Sequence, residues 1–316
     1  MREGVRISHR DLLDLWDWSP EEVESLWSTT DAMVEVMQRR VKKVPALQGF
    51  TIATLFFENS TRTRLSFERA AKAQSAEVFH FSAGSSSLSK GESLRDTIRT
   101  IDAMKVDLYI VRHGAAGVPY QIREWTDARI VNAGDGRRAH PTQALLDGYT
   151  FRRCFPGFDG FAGKRLAIVG DILHSRVARS NVVLWTKMGG EVVLCGPSTL
   201  VPPSLGAQEG VTVSHRVEEA LEGAHAVMAL RVQRERMQAG LIPSLSGYQA
   251  RYQVTTALME LAHRDALVMH PGPMNRDVEI EGALANSARS VIEAQVAHGI
   301  SVRMAVLYRL LVGRNA

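Results

Sequence analysis

The chain is short of cysteine, of long apolar runs and of net charge, and each shortage removes a class of protein. Its 316 residues hold 2 cysteines, Cys154 and Cys195. They stand far apart with no partner motif, which argues against a disulfide framework or a zinc-type cluster and fits a reducing cytosol. No apolar run reaches the roughly 20 residues that a membrane-spanning helix needs. Residues 1–10 are charged and lack the apolar core of a signal peptide, so a cytoplasmic protein with no membrane partner is expected. Lys and Arg number 38 against 34 Asp and Glu, a formal +4. That excess is too small and too evenly spread to imply nucleic acid, and it suits anionic small substrates equally well. The glycine fingerprint G-x-G-x-x-G is absent, which counts against a dehydrogenase. There is no internal repeat and no low-complexity tract; the Ser-rich stretch 82–89 comes nearest and reads as a mobile loop.

What remains is ordinary globular composition, 45% hydrophobic and 23% charged, in a chain long enough for two domains of about 150 residues each. Ser19-Pro20-Glu21-Glu22 is a helix start: Ser19 can cap, Pro20 suits the first position, and two carboxylates face the positive end of the dipole. That helix is expected to run to about Arg40. The run TIATLFF at 51–57 is apolar throughout, as a parallel strand buried on both faces must be. Further strand-like runs follow at 77–81, 106–111 and 129–132, with helical stretches near 63–75, 92–104 and 142–152. After the turn signals Pro156-Gly157 and Asp159-Gly160 a second series begins, with strands at 165–169, 191–194, 211–214, 225–230 and 267–270. Strand–helix alternation predicts an α/β protein: two doubly wound parallel-sheet domains of similar size, 1–150 and 151–286. A last amphipathic helix at 288–311, within a segment 287–316, is expected to pack back on the N-terminal domain.

Glu58-Asn59-Ser60-Thr61-Arg62-Thr63-Arg64 stands where the first strand ends and a helix begins. Backbone N–H groups and the helix dipole favour a phosphate there. Hydroxyls of Ser60, Thr61 and Thr63 add donors, and Arg62 adds a fork for phosphate oxygens. The bland alternative is a well-capped helix with surface arginines. Ser-Thr-Arg-Thr-Arg after an apolar strand resembles the carbamoyl-phosphate signature of the aspartate and ornithine carbamoyltransferases. The resemblance implies that Ser60, Thr61, Arg62 and Thr63 grip the phosphate, with Thr63 also near the carbonyl, and makes the first domain the carbamoyl-phosphate-binding one and the second the aspartate-binding one.

Further motifs appear in the family's order. Ser86, Lys90, Gly91 and Glu92 look like its S-x-x-x-K-G-E loop, which in the family reaches a neighbouring subunit's site, with the Lys binding both substrates. Arg112, at a strand end, is implied to bind the carbamoyl oxygen and a phosphate oxygen. In His140-Pro141-Thr142-Gln143, Pro141 fixes a helix start; the resemblance gives His140 the carbonyl oxygen and Gln143 the carbamoyl amide. Ser175-Arg176 opens a helix after a strand, and Arg176 matches the family's position for an aspartate carboxylate. Arg231 and Gln233 resemble its pair for the side-chain carboxylate and amino group. His270-Pro271-Gly272-Pro273 looks like the H-P-x-P loop, whose carbonyls at Gly272 and Pro273 would accept from carbamoyl and amino N–H groups.

The second half of the chain favours aspartate over ornithine as acceptor. The ornithine-type motifs D-x-x-S-M-G and H-C-L-P are missing, since Pro271 follows His270, and Arg176 and Arg231 suit a dicarboxylate. The resemblance therefore implies transfer of a carbamoyl group to aspartate, an early step of pyrimidine biosynthesis. It implies no metal, no cofactor and no covalent intermediate, and a homotrimer with shared sites. Any allosteric control would come from a regulatory or pathway partner chain. Two alternatives stay open at this point: a carbamoyltransferase for another amino acid, and a non-catalytic paralogue acting as a scaffold or binding module.

Overall fold

In a computed structural model of the chain, the residues described are 9–58, 60–82, 92–232, 240 and 244–313. Two compact units are present: Met1–Leu145 with Ala297–Ala316, and Leu146–Val296.

The first unit is built on four parallel strands in the order β2-β1-β3-β4: β1 (Thr51–Phe56), β2 (Glu77–Ser82), β3 (Leu108–His113) and β4 (Arg129–Asp135). In β1 every residue after Thr51 is buried, with Ile52 set between Val78 and Leu108. Helices α1 (Pro20–Gln38), α2 (Thr61–Ala73), α3 (Leu94–Asp102) and α4 (Val118–Arg123) join or cover these strands. The capping box expected at Ser19 is present: its hydroxyl accepts from Glu22 N–H, while the Glu22 carboxylate accepts from Ser19 N–H. One face of the sheet is filled by Ala53, Leu55, Ile98, Tyr109, Val111 and Ile130. Burying such side chains is worth about 1.5–3 kcal/mol each for the larger ones. From Ala297 onward the C-terminal helix (Ile292–Leu311) belongs to this unit, as expected. Arg303 donates to Ser66 Oγ at 2.7 Å and lies 5.0 Å from the Phe67 ring centre, and Gln74 Nε2 donates to the Met304 carbonyl at 3.1 Å.

The second unit holds five parallel strands in the order β7-β6-β5-β8-β9: β5 (Arg165–Val169), β6 (Glu191–Cys195), β7 (Val211–Ser214), β8 (Ala226–Ala229) and β9 (Leu267–Met269). Its core includes Ala167, Val193, Val227, Val268 and Ile280. Phe151, Phe161 and Trp185 form a separate aromatic group, with the Phe161 and Trp185 rings edge-on at 4.9 Å.

Several boundaries differ from the sequence expectation for physical reasons. The last helix starts at Ile292, not 288, because Arg289 and Val291 spend their backbone groups on β9: Val268 N–H donates to the Arg289 carbonyl and Val291 N–H to the Val268 carbonyl. Strand β4 runs on to Asp135, since Asp135 still pairs with His113 beyond a register shift. Helix α4 is too short for a period to be read. Among the described residues no helix is long and apolar enough to cross a membrane, and no group of three or more His, Cys, Asp or Glu side chains could hold a metal ion.

Candidate active site

Doubly wound sheets bind ligands outside the carboxyl ends of their strands, where the winding direction reverses. In the first unit the chain moves from β1 outward to β2, then returns to β3 and β4, so the reversal lies between β1 and β3. Sequence-predicted residues stand at that point. Phe57 N–H donates to the Arg112 carbonyl at 2.9 Å, joining the end of β1 to β3. Arg112, its side chain only 14% exposed, donates from Nη1 to the Ala133 carbonyl at 3.2 Å, and its Nε lies 3.4 Å from Glu58 Oε2. The guanidinium is thus oriented by one carboxylate and one carbonyl. Sequence reasoning gave Glu58 no role, although it opens the very segment singled out.

Helix α2 starts at Thr61 and differs from its neighbours. Ser19, Ser93 and Ser175 each accept a backbone N–H as helix caps, from Glu22, Asp96 and Ala178. Ser60 makes no such bond, and the first turn of α2 carries no acidic residue. The well-capped helix therefore does not describe this terminus. With Arg62 and Arg64 in its first turn, such a terminus is chemically able to receive an anion. Thr61 and Arg62 are exposed, and Thr63 is buried.

His140 and Gln143 come from the turn after β4. Asp135 is fully buried and collects three donors: Gly117 N–H at 2.7 Å, Asn132 Nδ2 at 2.9 Å and Ala139 N–H at 3.1 Å. Those bonds close the turn 135–139. At Gly136 (φ +47°) a Cβ would meet the Ala116 nitrogen at 2.7 Å, so only glycine fits. The turn delivers His140, 4% exposed, to the start of helix α5 (Pro141–Cys154), and Gln143 N–H donates to the His140 carbonyl at 3.0 Å. Sequence reasoning missed Asn132 and Asp135; the signal was Asn-Ala-Gly-Asp-Gly, turn chemistry directly after a strand.

In the second unit the reversal falls between β5 and β8. After β5, Gly170 (φ +137°) approaches Leu230 so closely that a Cβ would lie 3.0 Å from the Leu230 Cβ and 3.1 Å from its carbonyl oxygen. Asp171 Oδ1 accepts from His174 N–H at 3.2 Å and lies 2.8 Å from His174 Nδ1, fixing the turn into helix α6 (Arg176–Lys187). Arg176 is half-buried in its first turn, and Arg231 is exposed two residues beyond β8. Beyond β9, Gly272 N–H donates to His270 Nδ1 at 2.8 Å, and the Gly272–Pro273 peptide bond is cis. A cleft of about 430 Å³ in this unit, between Glu218 and Gln249, contains none of the sequence-predicted residues.

Ser60, Thr61, Arg62, Thr63, Arg112, His140 and Gln143 are thus gathered in the first unit, and Arg176, Arg231, Gly272 and Pro273 in the second. Ser86, Lys90 and Gln233 lie outside the described residues, as does all but Ser82 of the stretch read as a mobile loop.

Residues 10–153 match the family described as aspartate/ornithine carbamoyltransferase, carbamoyl-P binding domain, and residues 162–310 match its Asp/Orn binding domain. The chain is 57% identical over 305 residues to the aspartate carbamoyltransferase catalytic subunit of Deinococcus radiodurans, covering 96% of each. It is also 57% identical over 306 residues to that of Thermus thermophilus, covering 97% of this chain and 99% of the relative. Among solved structures it resembles aspartate transcarbamoylase from Trypanosoma cruzi in complex with carbamoyl aspartate and phosphate, with a TM-score of 0.85, 28% identity and 96% of each chain covered.

Proposed function

The chain belongs to the aspartate/ornithine carbamoyltransferase family, and from that premise we propose that it transfers the carbamoyl group of carbamoyl phosphate to the α-amino group of L-aspartate. The products are N-carbamoyl-L-aspartate and phosphate. The observation that supports this reading most is the placement of two complementary charge sets at the two sheet reversals. A helix terminus with Arg62 and Arg112 suits a phosphate in one unit, and Arg176 with Arg231 suits a dicarboxylate in the other.

In this mechanism carbamoyl phosphate binds first, its phosphate on the first turn of α2 with Ser60, Thr61, Arg62 and Thr63, helped by Ser86. Gln143 and the carbonyls of Gly272 and Pro273 hold the carbamoyl amide. Arg176, Arg231, Gln233 and Lys90 orient aspartate. The neutral amine attacks the carbonyl carbon, forming the new C–N bond, while Thr63, Arg112 and His140 stabilise the oxyanion. The C–O bond to phosphate then breaks, and the amine proton passes to the departing phosphate. Neither a metal nor a covalent enzyme intermediate enters these steps, and catalysis rests on positioning and preorganised charge.

The enzyme would act in the cytoplasm as a homotrimer, at an early step of pyrimidine biosynthesis. Mixing a Lys90→Ala variant with a His140→Ala variant should restore part of the activity if neighbouring subunits share sites; no recovery would retire that arrangement. The deciding assay supplies carbamoyl phosphate with either L-aspartate or L-ornithine and follows phosphate release. Turnover with aspartate alone is expected. Turnover with ornithine would overturn the acceptor assignment, and turnover with neither would overturn the enzymatic reading. Arg62→Ala should weaken carbamoyl phosphate binding, and unchanged binding would remove Arg62 from the phosphate site.

A further inference from the structure

A chain of hydrogen bonds through the second unit takes no part in the roles set out above. Asn181 Nδ2 donates to Asp147 Oδ2 at 2.9 Å, and Gln295 Nε2 donates to Asp147 Oδ1 at 2.7 Å. Gln295 Oε1 accepts from His270 N–H at 3.0 Å. The His270 ring accepts at Nδ1 from Gly272 N–H, so Nε2 carries its proton and faces Glu279 Oε1 at 3.2 Å. The same Glu279 oxygen accepts from Asn275 N–H at 2.5 Å. Finally, Asn275 Nδ2 donates to the Val232 carbonyl at 2.9 Å. Asn181, Asp147, Gln295, His270 and Glu279 are all at most 3% exposed, so the chain is rigid up to its last link.

That last link joins two segments with different tasks. Residues 270–276 carry Gly272 and Pro273, while Val232 adjoins Arg231 on the stretch that follows β8. We propose that Asn275 is a positioning residue for aspartate: its side-chain amide holds the Arg231 segment against the loop of Gly272 and Pro273. The inference rests on the functional reading given above. Glu279 fixes the backbone of Asn275, so the side-chain amide hangs from a fixed point and sets where Val232 sits. Arg231 is exposed and extends from that stretch, so its reach toward a carboxylate depends on how the backbone beneath it is held. Small displacements of a positioning group weaken binding far more than they disturb the fold.

The test compares the parent enzyme with Asn275→Asp and Asn275→Ala. The aspartate side chain keeps the size of asparagine, but as a carboxylate it cannot donate to the Val232 carbonyl. Alanine removes the link without adding charge, and the backbone bond to Glu279 survives in both. Losing one neutral hydrogen bond should raise the KM for aspartate about five- to tenfold. The inhibition constant of succinate, a dicarboxylate without the amino group, should rise by the same factor. The KM for carbamoyl phosphate and kcat should stay within about twofold, since the carbamoyl contacts are not touched. Unchanged aspartate KM and succinate inhibition would overturn the inference, as would an equal rise in the carbamoyl phosphate KM. If the added charge of Asn275→Asp disturbs folding, Asn275→Ala decides alone. A parent that fails to carbamoylate aspartate overturns the functional reading itself, a result distinct from an active parent matched by its variants.

Discussion

The two units meet the same topological opportunity, a reversal of winding in a parallel sheet, and furnish it differently. In the first, the described candidate residues sit on regular elements or directly before them: the first turn of α2, strand β3 and the start of α5. In the second, among the described residues, only Arg176 does, while Arg231, Gly272 and Pro273 lie in irregular segments braced by the side chains of His270, Glu279 and Asn275. The difference follows from the ligands proposed. A phosphate is compact and can be met by one helix terminus, whose N–H groups and dipole converge on a point. A dicarboxylate has two charges several ångströms apart, so its cations must come from separate segments, and those segments need holding. Arg112 and His140 of the first unit should therefore govern the chemical step, and Arg176 and Arg231 of the second the affinity for the acceptor.

The largest effect belongs to the first unit. His140→Ala removes the donor proposed for the developing oxyanion, and kcat should fall by about 100- to 1,000-fold with little change in the KM for aspartate. Steady-state kinetics checks it. A variant that instead raised only the aspartate KM would erase the division of labour between the units.

Next comes Arg231→Ala, which deletes the charged hydrogen-bond partner proposed for the acceptor. The KM for aspartate should rise about 10- to 100-fold, with carbamoyl phosphate binding unchanged by calorimetry. Loss of carbamoyl phosphate binding would show that Arg231 serves both ligands and that the comparison is too sharp.

The bracing of the second unit can be tested on stability. Asp147 accepts from two amides, so Asp147→Asn turns an acceptor into a donor opposite Asn181 or Gln295, at full burial. A buried mismatch of this kind costs about 1–3 kcal/mol. The midpoint of urea unfolding should fall accordingly, and an unchanged midpoint would mean that the chain through Gln295 contributes no rigidity.

Those residues also mark where sequence reading stopped. Strand β1 and the segment after it were legible because a strand buried on both faces must be apolar throughout, and the pattern proposed to bind phosphate is contiguous. Arg112 and His140 could be named as candidates through the family resemblance, Arg112 at the end of an apolar strand and His140 within its own motif. The supports were not. Asp147 was assigned no role, and its partner Gln295 lies 148 residues away. Glu279 and Asn275 were assigned no role, because a buried polar side chain looks like a surface one until its partners are known. The helix start at Ile292 failed for a related reason: pairing of residues 289–291 with β9 overrides a helical period that continues through them.

The smallest effect expected is a pH dependence that separates the second unit's scaffold from its site. His225 precedes β8 at the amino end of the sheet, opposite the strand ends that carry Arg231. Its ring stacks on His263 at 4.8 Å and lies 5.6 Å from the Phe155 ring, and its Nδ1 accepts from Arg165 N–H. Burial disfavours its charged form, and repulsion from His263, Lys164 and Arg165 adds to this against an opposing pull from Glu191, so its pKa falls below the ordinary value. A proton then binds the unfolded chain better than the folded one. Stability from this group is complete above the unfolded value of about 6.5 and is lost as pH drops through the lower folded value. His225→Gln, which keeps an acceptor for Arg165 N–H, should flatten the fall in unfolding midpoint on acidification. The pH profile of kcat/KM for aspartate should match the parent, because the titrating ring faces the far end of the strands. A shifted activity profile in His225→Gln would mean that the two ends of the second sheet are coupled, and the contrast between a braced site and its scaffold would have to be redrawn along the strands.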